Sequence, residues 1–211
     1  MIKKRILIIV YALLLCVTAS FAWLSNFQAN YVSDIAVDFK DGALKVVDLD
    51  FDAYIEVPNE SGEFERIEGA FTFDKKQMIP DAVTPFKIKI KNNSATAERK
   101  AKLGLAIRID PEQAKTVNIL DVMYIDIVAG QGFGRANNYH VFTRLGDADV
   151  VGTEGSGEYS IYLYGDGSEI IIPPTTAENE YVTLDCSFYF DQNATAEYQN
   201  KVIEAISFRL E

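Results

Sequence analysis

The chain has 211 residues, with 20 Lys and Arg against 31 Asp and Glu, a net charge of −11. An acidic surface of this kind repels nucleic acid and anionic lipid, so neither is expected as a partner of the folded domain. Two cysteines exclude a disulfide-dense scaffold, and 13 Phe with 11 Tyr favour strands.

The N-terminus carries the strongest local signal. Lys3, Lys4 and Arg5 precede an uncharged stretch, residues 6–24, that closes on Ser20-Phe21-Ala22-Trp23. A basic start, an apolar middle and small residues at the −3 and −1 positions (Ser20 and Ala22) define a secretory signal peptide over residues 1–22, cut between Ala22 and Trp23. The function is then expected outside the cytoplasm. The mature chain, residues 23–211, suffices for one domain. Loss of the three basic residues leaves 17 basic against 31 acidic side chains, a charge of −14. Two other readings exist. Residues 6–24 are long enough to span a bilayer core of about 20 residues, so an uncleaved anchor is open, with membrane contact through this helix alone. Leu13-Leu14-Leu15-Cys16 has the outline of a lipoprotein site, but Leu15 is bulky where a small residue is usual, and Cys16 reads as one more apolar residue. After cleavage Cys186 is the only cysteine, which excludes an intrachain disulfide and suits a bacterial surface.

Past the cleavage point, residues 23–40 read as an extended N-terminal strand. Trp23, Leu24, Phe27, Tyr31, Ile35, Val37 and Phe39 occur there with few turn formers, and residues 35–39 look like a strand. From residue 47 to 57 every odd position is apolar and every even one polar or amphipathic, which is period two and marks a strand with one buried face. A short strand follows at 71–73. Residues 86–91 alternate Phe, Ile and Ile with three lysines. Residues 101–109 alternate again, with Leu103, Leu105, Ile107 and Ile109 inward and Lys102 and Arg108 outward. Asp110-Pro111-Glu112-Gln113 is a helix start, an N-cap followed by Pro in the first turn. Further strands are predicted at 122–128, 139–142, 159–164, 169–172, 181–190 and 206–210, with a second short helix over 194–200. Turns at 61–62, 79–81, 92–94, 152–157, 165–167 and 173–174 separate them. The fold class expected is all-β: an antiparallel β-sandwich or jelly roll over residues 41–211 with one or two short helices, preceded by an N-terminal hydrophobic signal or transmembrane helix.

Catalytic constellations are sparse. The one histidine, His140, sits in a strand without a His-Glu-x-x-His pattern or a Gly-x-Ser-x-Gly elbow, and reads as an ordinary strand residue with no visible partner. Cys186 alternates with Leu184, Phe188 and Phe190, which marks a buried, inert thiol. Gly130-Gln131-Gly132-Phe133-Gly134 lacks the Lys-Ser/Thr of a phosphate loop and reads as a hairpin loop. Asp48, Asp50 and Asp52 share a strand face, and Asp147 and Asp149 sit in a Gly-flanked loop. Calcium takes such oxygens, but neither cluster has a full ligand set, and a solvated acidic face is the default. Asn92-Asn93-Ser94 and Asn193-Ala194-Thr195 match the glycosylation pattern, a match of little weight if the surface is the bacterial one that the cysteine usage suits. No catalytic residue, metal ligand or cofactor is expected.

The order of these segments resembles the TasA/camelysin family, exported proteins of Gram-positive bacteria. The aromatic-small pair Phe21-Ala22 before Trp23 resembles the family's cleavage site. Asp41-Gly42-Ala43-Leu44-Lys45-Val46 resembles its Gly-x-Leu strand start. Ile79-Pro80-Asp81, and the strand that runs through Lys91 into Asn92-Asn93-Ser94, resemble its Pro turn and Asn-rich strand end. Gln199-Asn200 and Ile206-Ser207-Phe208-Arg209-Leu210 resemble its closing motif and final strand. The chain departs from the pattern at Ser94 and at Asn200, where Gly is common, and in the residue after the turn Pro.

The resemblance implies a secreted jelly-roll subunit of extracellular biofilm matrix fibres. In such fibres the N-terminal strand of one subunit completes the sheet of the next, so the implied partners are further copies of the chain, the signal peptidase and an accessory matrix protein. The apolar composition of residues 23–40 adds its own support, because strand addition to an open edge supplies backbone bonds and side-chain pockets. Residues 23–33 are open to this role or to folding back as an edge strand of their own sheet; for 34–40 self-pairing is favoured. Two other functions stay open: a camelysin-like cell-surface metallopeptidase, against which a single histidine argues, and a membrane-tethered binding module that does not assemble.

Overall fold

A computed structural model describes residues 43–46, 50–69, 71–73, 79–133, 139–152, 157–163, 169–176, 180–199 and 201–211. The expected signal peptide, its cleavage at Ala22 and Trp23, and the strand carrying Leu24, Phe27, Tyr31, Ile35, Val37 and Phe39 all lie outside the described residues. Among the described residues no helix is long and apolar enough to cross a membrane.

The described chain is built from strands, in order β1 (Leu44–Val46), β2 (Phe51–Pro58), β3 (Phe64–Ile67), β4 (Phe71–Phe73), β5 (Val83–Asn92), β6 (Arg99–Ala101), β7 (Leu103–Ile109), the single-turn helix α1 (Pro111–Ala114), β8 (Met123–Ala129), β9 (His140–Arg144), β10 (Asp149–Val151), β11 (Glu158–Leu163), β12 (Ile170–Ile172), β13 (Val182–Phe190) and β14 (Ile203–Leu210). One sheet runs β10-β11-β7-β14, and the far edge of β14 is shared by β1, which is parallel to it, and β4, which is antiparallel. The second sheet runs β3-β2-β5-β13-β8-β9, antiparallel throughout. A small ribbon pairs β6 with β12.

Alternation places one side of each strand in a common core. On β5 Phe86, Ile88 and Ile90 are buried while Lys87, Lys89 and Lys91 face out. On β13 the core-facing set is Val182, Leu184, Cys186, Phe188 and Phe190. The two sheets meet through phenylalanines. Phe86 and Phe188 of the second sheet stack at 5.0 Å, and Phe208 of the first lies 5.3 Å from Phe86 and 6.3 Å from Phe188. Phe71 closes the cluster at 5.5 Å from Phe86. Such ring pairs add to the burial of large apolar side chains.

Several expectations need adjustment. The alternating stretch 101–109 is not one strand: the ladder breaks at Lys102, whose N–H and C=O pair with Glu211 at 2.6 and 3.1 Å, and β6 and β7 enter different sheets. Both faces of β7 are buried, because Gly104 and Ala106 are small enough for neighbours to cover them. The helix expected over 194–200 is a run of turns through residue 199. β3 and β10 are strands that their mixed, charged sequences did not announce. α1 forms as expected, with Asp110 Oδ1 accepting from the N–H groups of Glu112 and Gln113.

Candidate functional site

The outward face of the second sheet carries a row-by-row arrangement of aromatic and charged side chains. Its rows follow from register. One row runs Val83–Tyr189–Tyr124–Arg144, the next Pro85–Ser187–Asp126–Phe142, and a third Arg66–Glu56–Lys87–Asp185–Val128–His140.

The rows nearest β2 and β3 neutralise themselves. Lys87 pairs with Asp185 at 3.9 Å, Lys89 with Glu56 at 3.8 Å and Lys91 with Glu180 at 2.8 Å. Lys89 Nζ also donates to Thr183 Oγ1 at 2.9 Å. The Arg66 guanidinium lies 4.8 Å from the Tyr54 ring centre, and Lys87 Nζ 4.4 Å from that of Phe64. Tyr181 packs edge-on to Tyr54 at 5.2 Å and donates its hydroxyl proton to Asp52 Oδ2 at 2.7 Å. That bond, then burial, pushes the Tyr181 phenol up to about 12.

The opposite end of the face is apolar. Phe142 on β9 is 60% exposed. Its ring stacks on Tyr124 at 5.8 Å and meets Tyr189 edge-on at 6.1 Å. Val83 and Val128 are exposed in the neighbouring rows. His140 does have a partner, contrary to the expectation: its Nε2 lies 2.9 Å from Asp126 Oδ1, across β9 and β8. Period-two spacing sets both residues on the same outer face, but no pattern along the chain marks two residues 14 apart as neighbours.

β9 is the outermost strand of this sheet among the described residues. The Ala129 N–H donates to the Tyr139 carbonyl at 2.9 Å. In an antiparallel ladder that phase turns the backbone groups of Val141 and Thr143 toward β8. Those of His140, Phe142 and Arg144 turn away from the sheet. Arg144 closes the strand by holding Asp147 in a two-point pair at 2.8 and 2.6 Å, which keeps the Asp147 carboxyl below its usual range.

The remaining sequence candidates resolve into structural roles. Asp50 pairs with Arg99 at 2.9 Å, and Asp52 accepts from Tyr181. Asp48 lies outside the described residues, and Asp149 begins β10. Among the described residues no group of three or more His, Cys, Asp or Glu is placed to hold a metal. Cys186 is buried, and loss of solvent pushes its thiol well above the usual value. Gly130 and Gly132 form a tight loop: Gly130 N–H donates to the Thr183 carbonyl at 2.7 Å, and Gly132 has a φ of +92°. Asn92, the first glycosylation match, is 1% exposed. Its Nδ2 donates to the carbonyls of Ala97 at 2.8 Å and Ile172 at 3.2 Å, and its Oδ1 accepts from Ser94 N–H at 2.9 Å.

Among the described residues, shallow grooves lie beside the sheets. One, of about 320 Å³, lies beside β10 and is lined by residues including Thr116, Leu120, Val150 and Tyr159. The other, of about 270 Å³, lies where residue 43 enters β1, against Tyr54, Arg66 and Ile67.

No family model matches the chain, and no curated protein matches it. Among solved structures it is similar to AvmM, which catalyses macrocyclization in alchivemycin A biosynthesis, at 10% identity over 72% of this chain and 70% of that one, TM-score 0.37. It is similar to the β-galactosidase BgaA of Streptococcus pneumoniae at 10% identity over 77% and 95%, TM-score 0.31. A CBM3a-L domain from the scaffoldin cipA of Clostridium thermocellum is similar at 9% identity over 75% and 84%, TM-score 0.27. Similarity at this level says nothing about what the chain does.

Proposed function

We propose that this chain is an exported structural subunit of extracellular matrix fibres, a jelly-roll domain that polymerises when residues 23–33 of one copy add a strand to a sheet of the next. The observation that supports this is a pair of complementary features. The two large sheets end on β1, β3, β4, β9 and β10, beyond which no further strand is paired among the described residues. The segment before the domain carries Trp23, Leu24, Phe27, Tyr31, Ile35, Val37 and Phe39, the composition of a strand. An edge strand presents a row of backbone donors and acceptors that a second chain can extend.

Electron microscopy and light scattering on the mature chain test this reading. A chain beginning at Trp23 forms fibres, and one beginning at Asp34 stays small while keeping its β-rich circular dichroism. Equal polymerisation of the two overturns the proposal. N-terminal sequencing of exported protein should read from Trp23; Met1 there would overturn the processing step.

A further inference from the structure

We infer that the free edge of β9 is a self-association surface: two copies of the chain pair β9 with β9, antiparallel, about a two-fold axis beside Phe142. The surface lies wholly within the described residues, and the pairing stands or falls apart from the fibre reading.

An exposed apolar strand edge is an association site, and natural sheets guard against it with short edge strands and charged side chains, lysine above all. The other edges carry such guards. β1, β4 and β10 are three residues each. β3 reads Phe-Glu-Arg-Ile, and Lys87 Nζ lies over its aromatic ring at 4.4 Å. β9 runs for five residues, and Phe142 at its centre is the most exposed of the large hydrophobic side chains described. The backbone groups of His140, Phe142 and Arg144 turn away from β8. Those of His140 and Phe142 have no bond among the described residues, and the Arg144 carbonyl accepts only from the Thr143 hydroxyl at 3.2 Å there.

This edge complements itself. A two-fold axis at Phe142 sets Phe142 opposite Phe142 of the second copy, with His140 opposite Arg144 on either side. All three are outward-bonding positions, so each facing pair can exchange two backbone bonds. The two Phe142 side chains then share one outer face, with their Cα atoms about 5.5 Å apart. Each ring is already stacked on Tyr124 and met edge-on by Tyr189. Pairing therefore joins the two clusters into one aromatic stripe, and facing aromatics are a favourable cross-strand pair. Charge selects the direction. Arg144 holds Asp147, and His140 Nε2 lies 2.9 Å from Asp126. The antiparallel arrangement brings the arginine of one copy beside the His140–Asp126 pair of the other. A parallel one would set Arg144 against Arg144, and like charges directly opposite are destabilising.

Five residues a side make a joint well below the roughly 1,600 Å² of a standard interface, so the dimer is weak and forms at high concentration. A contact between identical patches closes on itself and yields pairs, not filaments.

The test uses the full mature chain with p-benzoylphenylalanine at position 142, isotope-labelled and mixed with an unlabelled chain that is unchanged, Phe142→Lys or Val150→Lys. Circular dichroism and a thermal melt confirm that each form is folded. After irradiation, mass spectrometry reads crosslinks between labelled and unlabelled chains, so larger assemblies do not disturb the result. With the unchanged chain, crosslinks should run from position 142 to residues 140–144 of the second copy. They should fall about tenfold with Phe142→Lys, since a lysine guards an edge, and persist with Val150→Lys on the other sheet. Crosslinks that land elsewhere on the second copy, or only within the same chain, overturn the pairing. So does an equal yield with Phe142→Lys, or the absence of any crosslink between chains in folded protein at about 1 mM.

Discussion

Asn92 ties the end of β5 to two other segments, and Asn92→Ala should be among the most damaging single changes to a polar residue. The side chain is buried, and its amide donates to the carbonyls of Ala97 and Ile172 while its oxygen holds the Ser94 N–H. Alanine removes the donor from the Ile172 carbonyl, which is buried, and from that of Ala97, an exposed residue that water can reach. A buried orphan costs about 1–3 kcal/mol, and a solvated one less. The longer 3.2 Å bond to Ile172 argues for the lower end there. A total of roughly 1–3 kcal/mol follows, against about 5–15 kcal/mol for a whole domain. With a urea m-value of about 2 kcal/mol/M, the midpoint falls by about 0.5–1.5 M. Far-ultraviolet circular dichroism in urea reads this directly. Asn92→Asp is the sharper variant, because the carboxylate oxygen that replaces Nδ2 faces two carbonyl oxygens; it should be less stable than the alanine variant at neutral pH and recover as acid protonates it. A loss below about 0.5 kcal/mol in Asn92→Ala would mean that water reaches the Ile172 carbonyl as well, and the pinning role would be refuted.

Three further outcomes are expected. Cys186 should resist alkylation in the native protein and react once urea unfolds it, because burial holds the thiol in its unreactive protonated form; reaction at a free-thiol rate in buffer would contradict the burial. Gly157→Ala should destabilise by about 1–3 kcal/mol in the same urea assay, because the residue has a φ of +80° and a Cβ there would strike the Ile109 carbonyl oxygen; an unchanged midpoint would show that the turn relaxes. Tyr181 has its phenol raised, so the Asp52 bond contributes stability that is complete below the ordinary tyrosine value and is lost as pH climbs through about 12; in ultraviolet titration Asp52→Asn should move one tyrosine to lower pH, and an unchanged curve would remove Asp52 as the cause.

Period two was the most legible feature of the chain. It located β2, β5 and β13 and the buried side of each, because a strand with one face in the core cannot hide its alternation. It misled at Lys102, where alternation continues unbroken although the backbone bonds change partner from β12 to β14. Side-chain pattern records burial, and burial is the same on both sides of that switch. β3 and β10 went unseen because short edge strands keep their charges and bury little. Of the candidate site, the fate of Cys186 was readable from its apolar neighbours. The His140–Asp126 pair and the Phe142 cluster were not, since both depend on which strand lies beside β8.

β14 binds the first sheet together, yet it is the last strand of the chain. Its partners are β7, about 100 positions earlier, and β1, some 160 positions earlier. Closing loops of that length is slow, and contacts this distant in sequence belong to slowly folding topologies. A chain threaded outward from its N-terminus therefore cannot close this sheet until almost all of it has passed. The order of strands acts as a timer: the first sheet closes only once β14 is available to pair with β7 and β1.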